Sequence, residues 1–350
     1  MSTNLPIISG IQQIGIGNAA VYDTWDWYRM HLGMDVPIFD EAAEAALMLP
    51  YTGGEPRSRH AILALNMMGG AGAEIWQYTS RVGQPPQSPL QIGDLGINVA
   101  IYKSINIDKS HQILSQSNVC SQIENYIDKR RCFYAKDLDG NLIKLVESPD
   151  WFQKHRFHCG GVYGAVIGVT DMETSISFYK DILGYDEILR DATISLPSFL
   201  SDDRGGKYRS VILTHKDDRK GAFSPLLGRS EIELIQCLDR KPQAIFENRM
   251  WGDLGYIHLC FDINGMDALR NQCNDYGTPF TVDSGDFDMG DAGGQFAYIE
   301  DPDGTLIEFV ETHKVPILKK LGWYLNLKNR NPEKPLPRWM LKAMGLNRKK

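Results

Sequence analysis

Short apolar runs alternate with amphipathic stretches along most of the chain. Residues 162–169 form one such run, and Met172, Ile176, Tyr179 and Leu183 then recur at the three- and four-residue spacing of one helix face. A strand followed by an amphipathic helix is therefore predicted here.

The same order of strand, helix and further strands recurs four times. The predicted strands cover residues 11–17, 61–66, 73–78, 97–102, 142–147, 162–169, 210–214, 231–237, 256–262 and 306–311, and helices are predicted at 108–117 and 266–276. The pattern predicts an α+β fold of four β-α-β-β-β modules. Gly33 and Gly184 each follow a Leu at the end of a helix, where a left-handed glycine commonly ends the helix.

Three sequence matches relate the first half of the chain to the second. TWDWYRMHLGM (24–34) resembles SISFYKDILGY (175–185), GDLG recurs at 93–96 and 252–255, and DLDGNLIKLVE (137–147) matches DPDGTLIEFVE (301–311) at seven of 11 positions. The matches occur in the same order in both halves, which indicates an internal duplication. We therefore expect domains at residues 8–150 and 160–312 and a tail at 313–350.

The composition is that of a globular protein. The 350 residues are 43% hydrophobic and 23% charged, which excludes a disordered or fibrous chain. No apolar run approaches the ~18–20 residues of a membrane-spanning helix, and the first residues lack the pattern of a secretory signal. Six cysteines occur without a CxxC pair, as in proteins of a reducing compartment, so a cytoplasmic location is expected.

Charge is unevenly distributed between body and tail. Residues 312–350 contain 11 Lys and Arg and one acid, a charge of +10, and the remainder carries −17. An acidic body argues against nucleic-acid binding. The tail, with Trp323 and Trp339 among its bases, either docks on the body or a partner subunit, or lies on anionic lipid as a peripheral membrane contact.

The duplicated pattern resembles the vicinal oxygen chelate superfamily. The resemblance rests on FYxxxLG after the first helix, on DPDGTLIEF in the last strand and on the β-α-β-β-β repeat. The superfamily includes glyoxalase I, methylmalonyl-CoA epimerase, fosfomycin and bleomycin resistance proteins and extradiol dioxygenases. The resemblance implies two cup-shaped mixed sheets, each formed by two modules. It also implies a divalent metal in the cup of the C-terminal half.

The superfamily's ligand positions fall on three suitable side chains in that half. They imply that Glu233, His258 and Glu308 hold one divalent ion, Fe²⁺, Mn²⁺, Ni²⁺ or Zn²⁺, with no other cofactor. The fourth position falls on Gly164, which would widen the opening. Each residue also has a structural explanation: His258 as a hydrogen-bonded core histidine, and the two glutamates as exposed strand residues.

Strand alternation predicts what surrounds these ligands. It places Tyr256 and Cys260 beside His258, Leu306 and Val310 beside Glu308, and Ile235 beside Glu233. Together with Gly164 at the fourth position, these residues form the predicted substrate pocket. Such an apolar surface with few polar groups suits a small-molecule site.

The N-terminal half carries different residues at the same positions. These are Gln13, Glu74, Val99 and Lys144. Val99 cannot bind a metal, and the cation of Lys144 would take its place. We therefore predict a Glu74–Lys144 ion pair in a metal-free half that serves as scaffold, lid or homo-oligomer surface.

Three functions agree with the predicted metal site and pocket. The first is metal-assisted proton transfer by an isomerase, epimerase or lyase, with Glu233 or Glu308 as the catalytic base, on a small, fairly apolar substrate with vicinal oxygens. The second is an Fe(II)-dependent dioxygenase, against which the missing second histidine counts. The third is a non-catalytic small-molecule binding protein.

Overall fold

Four β-α-β-β-β modules follow one another along the chain, as predicted. The computed structural model describes residues 5–116, 118–154, 156–200, 206–288, 293–318 and 322–349. Module 1 contains β1 (Ile7–Gly17), α1 (Val21–Leu32), β2 (Val36–Glu44), β3 (Ser58–Leu65) and β4 (Gly72–Tyr78). Module 2 contains β5 (Gly96–Ser104), α2 (Ile107–Leu114), β6 (Glu124–Asn125), β7 (Arg131–Lys136) and β8 (Leu142–Glu147).

The other two modules repeat this order with additional short elements. Module 3 contains β9 (Cys159–Gly168), α3 (Met172–Asp181), β10 (Glu187–Ile194), β11 (Tyr208–Thr214), α4 (Ser224–Leu227) and β12 (Glu231–Cys237). Module 4 contains β13 (Gly255–Asn264), α5 (Met266–Tyr276), β14 (Val282–Asp283), β15 (Phe287–Asp288), β16 (Gly293–Glu300) and β17 (Leu306–Leu318).

Local sequence signals mark where the long helices begin and end. Gly33, at φ 68°, caps α1 in the left-handed conformation, and Gly184, at φ 69°, does the same shortly after α3. At the start of α3, the Asp171 side chain accepts a hydrogen bond from the Thr174 backbone N–H at 2.9 Å.

The strands form two curled mixed sheets. The first sheet has the order β14-β16-β17-β13-β1-β4-β3-β2, with β15 paired to β16. The second sheet has the order β10-β11-β12-β9-β5-β8-β7-β6. Module 1 therefore pairs with module 4, and module 2 with module 3.

This pairing corrects the expectation that each half of the chain closes its own cup. The seam of the first sheet is the antiparallel pair β1–β13, in which Gly15 faces His258. The seam of the second sheet is β5–β9, in which Val99 faces Val166. Each cup therefore combines one module from residues 8–150 with one from residues 160–312.

The two modules of each half are nevertheless joined by a buried side-chain contact. The Tyr28 hydroxyl donates to Asp137 at 2.7 Å, and the Tyr179 hydroxyl donates to Asp301 at 3.0 Å. Each contact links the FYxxxLG-type helix of one module to the DxDG turn of the next. The two repeated motifs thus hold the two sheets together.

The C-terminal segment, residues 322–349, docks on the body as an arm. Its strand β18 (Trp323–Asn326) pairs with β17, and its short helix α6 (Arg338–Ala343) follows. Leu341 and Met344 are buried in the arm's apolar contact with the body. Arg348 pairs with buried Asp35 at 2.9 Å. Among the described helices, none is long and apolar enough to span a bilayer.

Candidate metal site

Three ionisable side chains meet in the cup of the first sheet. Nε2 of His258 lies 3.2 Å from a carboxylate oxygen of Glu74 and 3.1 Å from one of Glu308. All three residues are buried, and their potential ligand atoms lie within 4.8 Å of one another. Glu74 belongs to module 1, whereas His258 and Glu308 belong to module 4.

The strand register brings these side chains together. Gly15 on β1 pairs with His258 across one edge and with Glu74 on β4 across the other. A Cβ atom at Gly15 would lie 2.7 Å from Nε2 of His258 and closer still to Cε1. The imidazole therefore occupies space that is available only because residue 15 has no side chain.

Gln13 completes the cluster from the same strand. Its amide Nε2 donates to Glu74 at 3.0 Å and lies 3.4 Å from Glu308. Its Oε1 is buried and has no hydrogen-bond partner among the described residues. We refer to Gln13, Glu74, His258 and Glu308 as the four-residue cluster.

The hydrogen bonding of the cluster is incomplete. Neither ring nitrogen of His258 makes a well-formed hydrogen bond to any described residue, although Nε2 faces both carboxylates. Buried polar atoms of native proteins are normally satisfied, and exceptions occur where an ion or ligand binds. Imidazole nitrogen, carboxylate oxygen and amide oxygen are all suitable ligands for a divalent ion.

The electrostatics of the cluster require a positive charge. Burial lowers the pKa of His258, but the close carboxylates of Glu308 and Glu74 outweigh it and raise that pKa to about 10. Burial raises the pKa of Glu74, but the contact with His258 outweighs it, and the net shift is downward. A proton on His258 or a bound cation can balance the two carboxylates.

A cavity of about 490 Å³ opens beside the cluster. Gln13, Glu74 and Glu308 line it, and so do the charged residues Glu41, Glu44, Arg59 and Lys314. The rest is lined mainly by apolar and aromatic side chains, including Ile38, Phe39, Met48, Leu63, Leu65, Trp76, Phe223, Leu226, Leu227, Trp251, Phe296, Tyr298, Val310, Val315 and Met344. This volume and lining are those of a small-molecule site.

Two aromatic rings hold His258 in place. Trp251 stacks on the imidazole with ring centroids 6.3 Å apart, and Tyr298 meets it edge-on at 5.6 Å. Burial and the nearby Glu308 and Glu74 raise the pKa of Tyr298 well above its usual value. Its phenol therefore stays protonated and is a potential hydrogen-bond donor beside the cluster.

Glu233 lies in the second sheet, away from His258 and Glu308. Its carboxylate accepts from Lys144 at 2.8 Å, from Arg190 at 3.1 Å and from the Ser210 hydroxyl at 2.7 Å. Burial disfavours the charge of each partner, yet their attraction prevails: the pKa of Glu233 is lowered and that of Lys144 is raised. The sequence-based ligand set of Glu233, His258 and Glu308 is therefore not assembled, because its members lie in different sheets.

The Lys144–Glu233 pair occupies the position in the second sheet that carboxylates occupy in the first. Lys144 pairs with Ile101 two residues beyond Val99, as Glu308 pairs with Cys260 two residues beyond His258. An ion pair thus fills the equivalent site. The predicted partner of Lys144 was Glu74, whereas the structure gives it Glu233.

The predicted pocket residues are dispersed. Val310 lines the cavity, whereas Leu306 packs beside Trp76, Trp251, Ile257 and Tyr298. Tyr256 donates to the Leu142 carbonyl at 2.8 Å, and Cys260 is buried, with its pKa raised well above the usual value by burial. Ile235 packs in the core of the second sheet.

Gly164 also lies in the second sheet, in strand β9. It pairs with Glu231, and a Cβ at residue 164 would overlap the Glu231 carbonyl oxygen. Its small size permits the close approach of these two backbone segments. The prediction that Gly164 widens the opening of the metal site is therefore wrong.

Sequence reasoning identified Gln13 and Glu74 as ligand positions but left them out of the site. The useful signal was their distribution among modules. Module 1 has two ligand-competent residues and module 4 has His258 and Glu308, whereas module 2 has Val99 and Lys144. Pairing module 1 with module 4 makes one complete set of four.

Comparison with known proteins matches one part of the chain to a family. Residues 158–309 match the family model Glyoxalase/Bleomycin resistance protein/Dioxygenase superfamily. No curated protein is significantly similar to the whole chain or a part of it.

Solved structures show the same fold over most of the chain. Glyoxalase I from Zea mays is 15% identical, with a TM-score of 0.53 over 86% of this chain and 92% of that one. A putative dioxygenase from Bacillus subtilis is 13% identical, with a TM-score of 0.55 over 87% and 86%. Residues 158–309 therefore match the glyoxalase, bleomycin resistance protein and dioxygenase superfamily by sequence, and most of the chain shares its fold with these two solved structures.

Proposed function

We propose that this protein is a divalent-metal-dependent enzyme that moves a proton next to a carbonyl group in a small, largely apolar substrate with vicinal oxygens. One observation carries the proposal: His258, Glu74 and Glu308 converge, buried, and the two glutamates line a largely apolar cavity. Isomerase, epimerase and lyase reactions share this proton-transfer step.

The four-residue cluster fits a divalent ion. Gln13, Glu74, His258 and Glu308 would supply one amide oxygen, two carboxylates and one imidazole nitrogen, a set suited to Mn²⁺, Ni²⁺, Zn²⁺ or Fe²⁺. When bound, such an ion stabilises the negative charge that develops on a substrate oxygen.

The side chains of the cavity supply the rest of the chemistry. Either Glu74 or Glu308 can act as the base, because both line the cavity and a carboxylate takes and returns a proton readily. Tyr298, as a neutral phenol, can donate a hydrogen bond to a substrate oxygen. The apolar walls exclude water and so strengthen these electrostatic effects. Glu233, proposed from sequence as a base, has no part in this scheme.

The composition of the cluster argues against the dioxygenase alternative. Non-haem Fe(II) oxygenases use two histidines and one carboxylate, whereas this cluster has one histidine and two carboxylates. The likeness to a putative dioxygenase concerns the fold alone.

A reloading experiment tests the proposed function. Protein stripped by a chelator would be reloaded anaerobically with Mn²⁺, Ni²⁺, Zn²⁺ or Fe²⁺ and incubated with alkyl α-hydroxyketones in D₂O. We expect metal-dependent deuterium incorporation by proton NMR, lost in Glu308→Gln and retained in Glu233→Gln, without O₂ consumption. Substrate-dependent O₂ uptake would instead show a dioxygenase. Ligand binding without exchange across the panel would favour a binding protein.

A cytoplasmic location, a homo-oligomer and a membrane contact of the arm also stay proposals. The buried apolar residues of the arm support docking on the body. Trp339, 61% exposed, is the side chain through which a lipid contact would be tested, by liposome co-sedimentation of Trp339→Ala.

A further inference from the structure

The C-terminal arm contributes to the wall of the cavity. Met344 and, on the last part of β17, Val315 line the cavity together with Leu226 and Leu227. Met344, Leu226 and Leu227 are each buried. The wall here is therefore built jointly by the arm and by the short helix α4, which precedes β12.

The arm is fixed in place by contacts on several sides. The Leu336 backbone N–H donates to the Ala222 carbonyl at 2.9 Å, and the Lys349 N–H donates to the Asp35 carbonyl at 2.8 Å. Arg348 also pairs with Asp35. Met344 thus belongs to a packed wall. The arm lies outside residues 158–309, the part that matches the family model.

The cavity has two chemically different parts. Gln13, Glu74 and Glu308 line one part of the cavity. Val315, seven residues beyond Glu308 on β17, instead packs in one apolar cluster with Leu226, Leu227 and Met344. A ligand that satisfies both parts carries oxygens on one side and a hydrocarbon group on the other. Burial of that hydrocarbon would contribute to affinity in proportion to its area.

We propose that the arm sets the size of the substrate. The substrate class is then a molecule with vicinal oxygens at one end and an alkyl or aryl group that packs against Met344, Leu226 and Leu227. The assignment of vicinal oxygens to the substrate rests on the proposed function above. The assignment of an apolar group rests only on the position of the arm.

A series of straight-chain hydroxamates, from acetohydroxamate to dodecanohydroxamate, tests this proposal. Hydroxamates present two vicinal oxygens, and chain length can be changed one methylene at a time. Binding to the full chain would be measured by calorimetry with Zn²⁺ and, separately, with EDTA. We expect affinity to rise about fourfold per methylene until the chain reaches the arm, and then to level off.

Substitutions at Met344 locate the apolar end. Met344→Trp should shorten the chain length at which affinity levels off, and Met344→Ala should lengthen it. Leu346→Ala, on the exposed part of the arm, is the matched control and should behave as wild type. Thermal melting would confirm that each variant is folded, and Met344→Ala suffices if Met344→Trp does not fold.

The outcomes separate this inference from the proposed function. Affinity that is independent of chain length, or a limit that neither Met344 variant moves, overturns the role of the arm even if acetohydroxamate binds in a Zn²⁺-dependent way. Chain-length dependence that is equal with Zn²⁺ and EDTA supports the arm but contradicts the metal-dependent function.

Discussion

A carboxylate oxygen of Glu74, on β4 of module 1, lies 3.2 Å from Nε2 of His258, on β13 of module 4. The two residues come from opposite halves of the duplicated chain, and they meet because β1 lies between their strands in one sheet. A site assembled in this way depends on both halves. Neither half alone contains Gln13, Glu74, His258 and Glu308.

Enlarging Gly15 should disturb the site through His258. In Gly15→Ala the new methyl group would overlap the imidazole, so the ring must move. We expect Zn²⁺ affinity to fall by about tenfold to a hundredfold, the range found when the orientation of a ligand is lost. Competition against a chromophoric chelator measures this.

Gly83→Ala is the matched control, because a Cβ there would approach Leu254 only to 3.8 Å. It should bind Zn²⁺ as wild type does. Equal affinity of Gly15→Ala and wild type would show that His258 is not a ligand.

Breaking the ion pair of the second sheet should reduce stability without affecting metal binding. Lys144→Met leaves Glu233 buried, with Arg190 and Ser210 as its remaining partners. Loss of one member of a buried pair costs about 3–5 kcal/mol, and we expect the lower end of this range. Urea unfolding measures the change.

The double variant Lys144→Met/Glu233→Met should regain much of this loss, because it leaves neither buried charge of the pair. Lys220→Met, which breaks the exposed pair with Glu333, should change stability little. If Lys144→Met were no more destabilising than Lys220→Met, the buried pair would have no structural role.

The Tyr179–Asp301 contact should make stability depend on pH. Burial raises the pKa of Asp301 to about 6, and the Tyr179 hydroxyl bond works against that increase. Since this pKa lies above the ~3.9 of an unfolded aspartate, the stability that Asp301 contributes is complete below pH ~4 and is lost as pH rises through 6.

Tyr179→Phe removes a donor to the carboxylate and should raise the pKa of Asp301 further. The variant should therefore lose about 1–3 kcal/mol at pH 8, where Asp301 is ionised, and less at pH 4. Urea unfolding at both pH values gives the difference, and Tyr28→Phe should repeat it through Asp137. An equal loss of unfolding free energy at both pH values, or a greater loss at pH 4, would contradict this prediction.

Most of the fold could be predicted from the sequence because its signals are local. Strand and helix periodicity, the glycines at residues 33 and 184 and the repeated DxDG turns each determine a nearby part of the backbone. The duplication then orders these elements into modules. The local signals and the repeat agree with one another, and the two curled sheets of the structure confirm the fold that they predict.

The pairing of modules could not be predicted in the same way, because it depends on contacts between distant strands. Strands β1 and β9 carry similar apolar patterns, so either could pair with β13 on local grounds. Glu74 and Glu233 also occupy equivalent positions, and nothing nearby in sequence distinguishes the ligand from the partner of Lys144. Only the distribution of ligand-competent residues, two in module 1 and two in module 4, indicates which modules pair.

Divalent-ion binding by Glu74→Gln and Glu233→Gln tests the central claim most directly. The two substitutions keep side-chain size and remove one carboxylate each, in different sheets. Anaerobic titration with Zn²⁺, with circular dichroism to confirm folding, should show one ion per chain in wild type and Glu233→Gln and at least tenfold weaker binding in Glu74→Gln. Loss of binding in Glu233→Gln with retention in Glu74→Gln, or no binding by the wild type, would contradict the account.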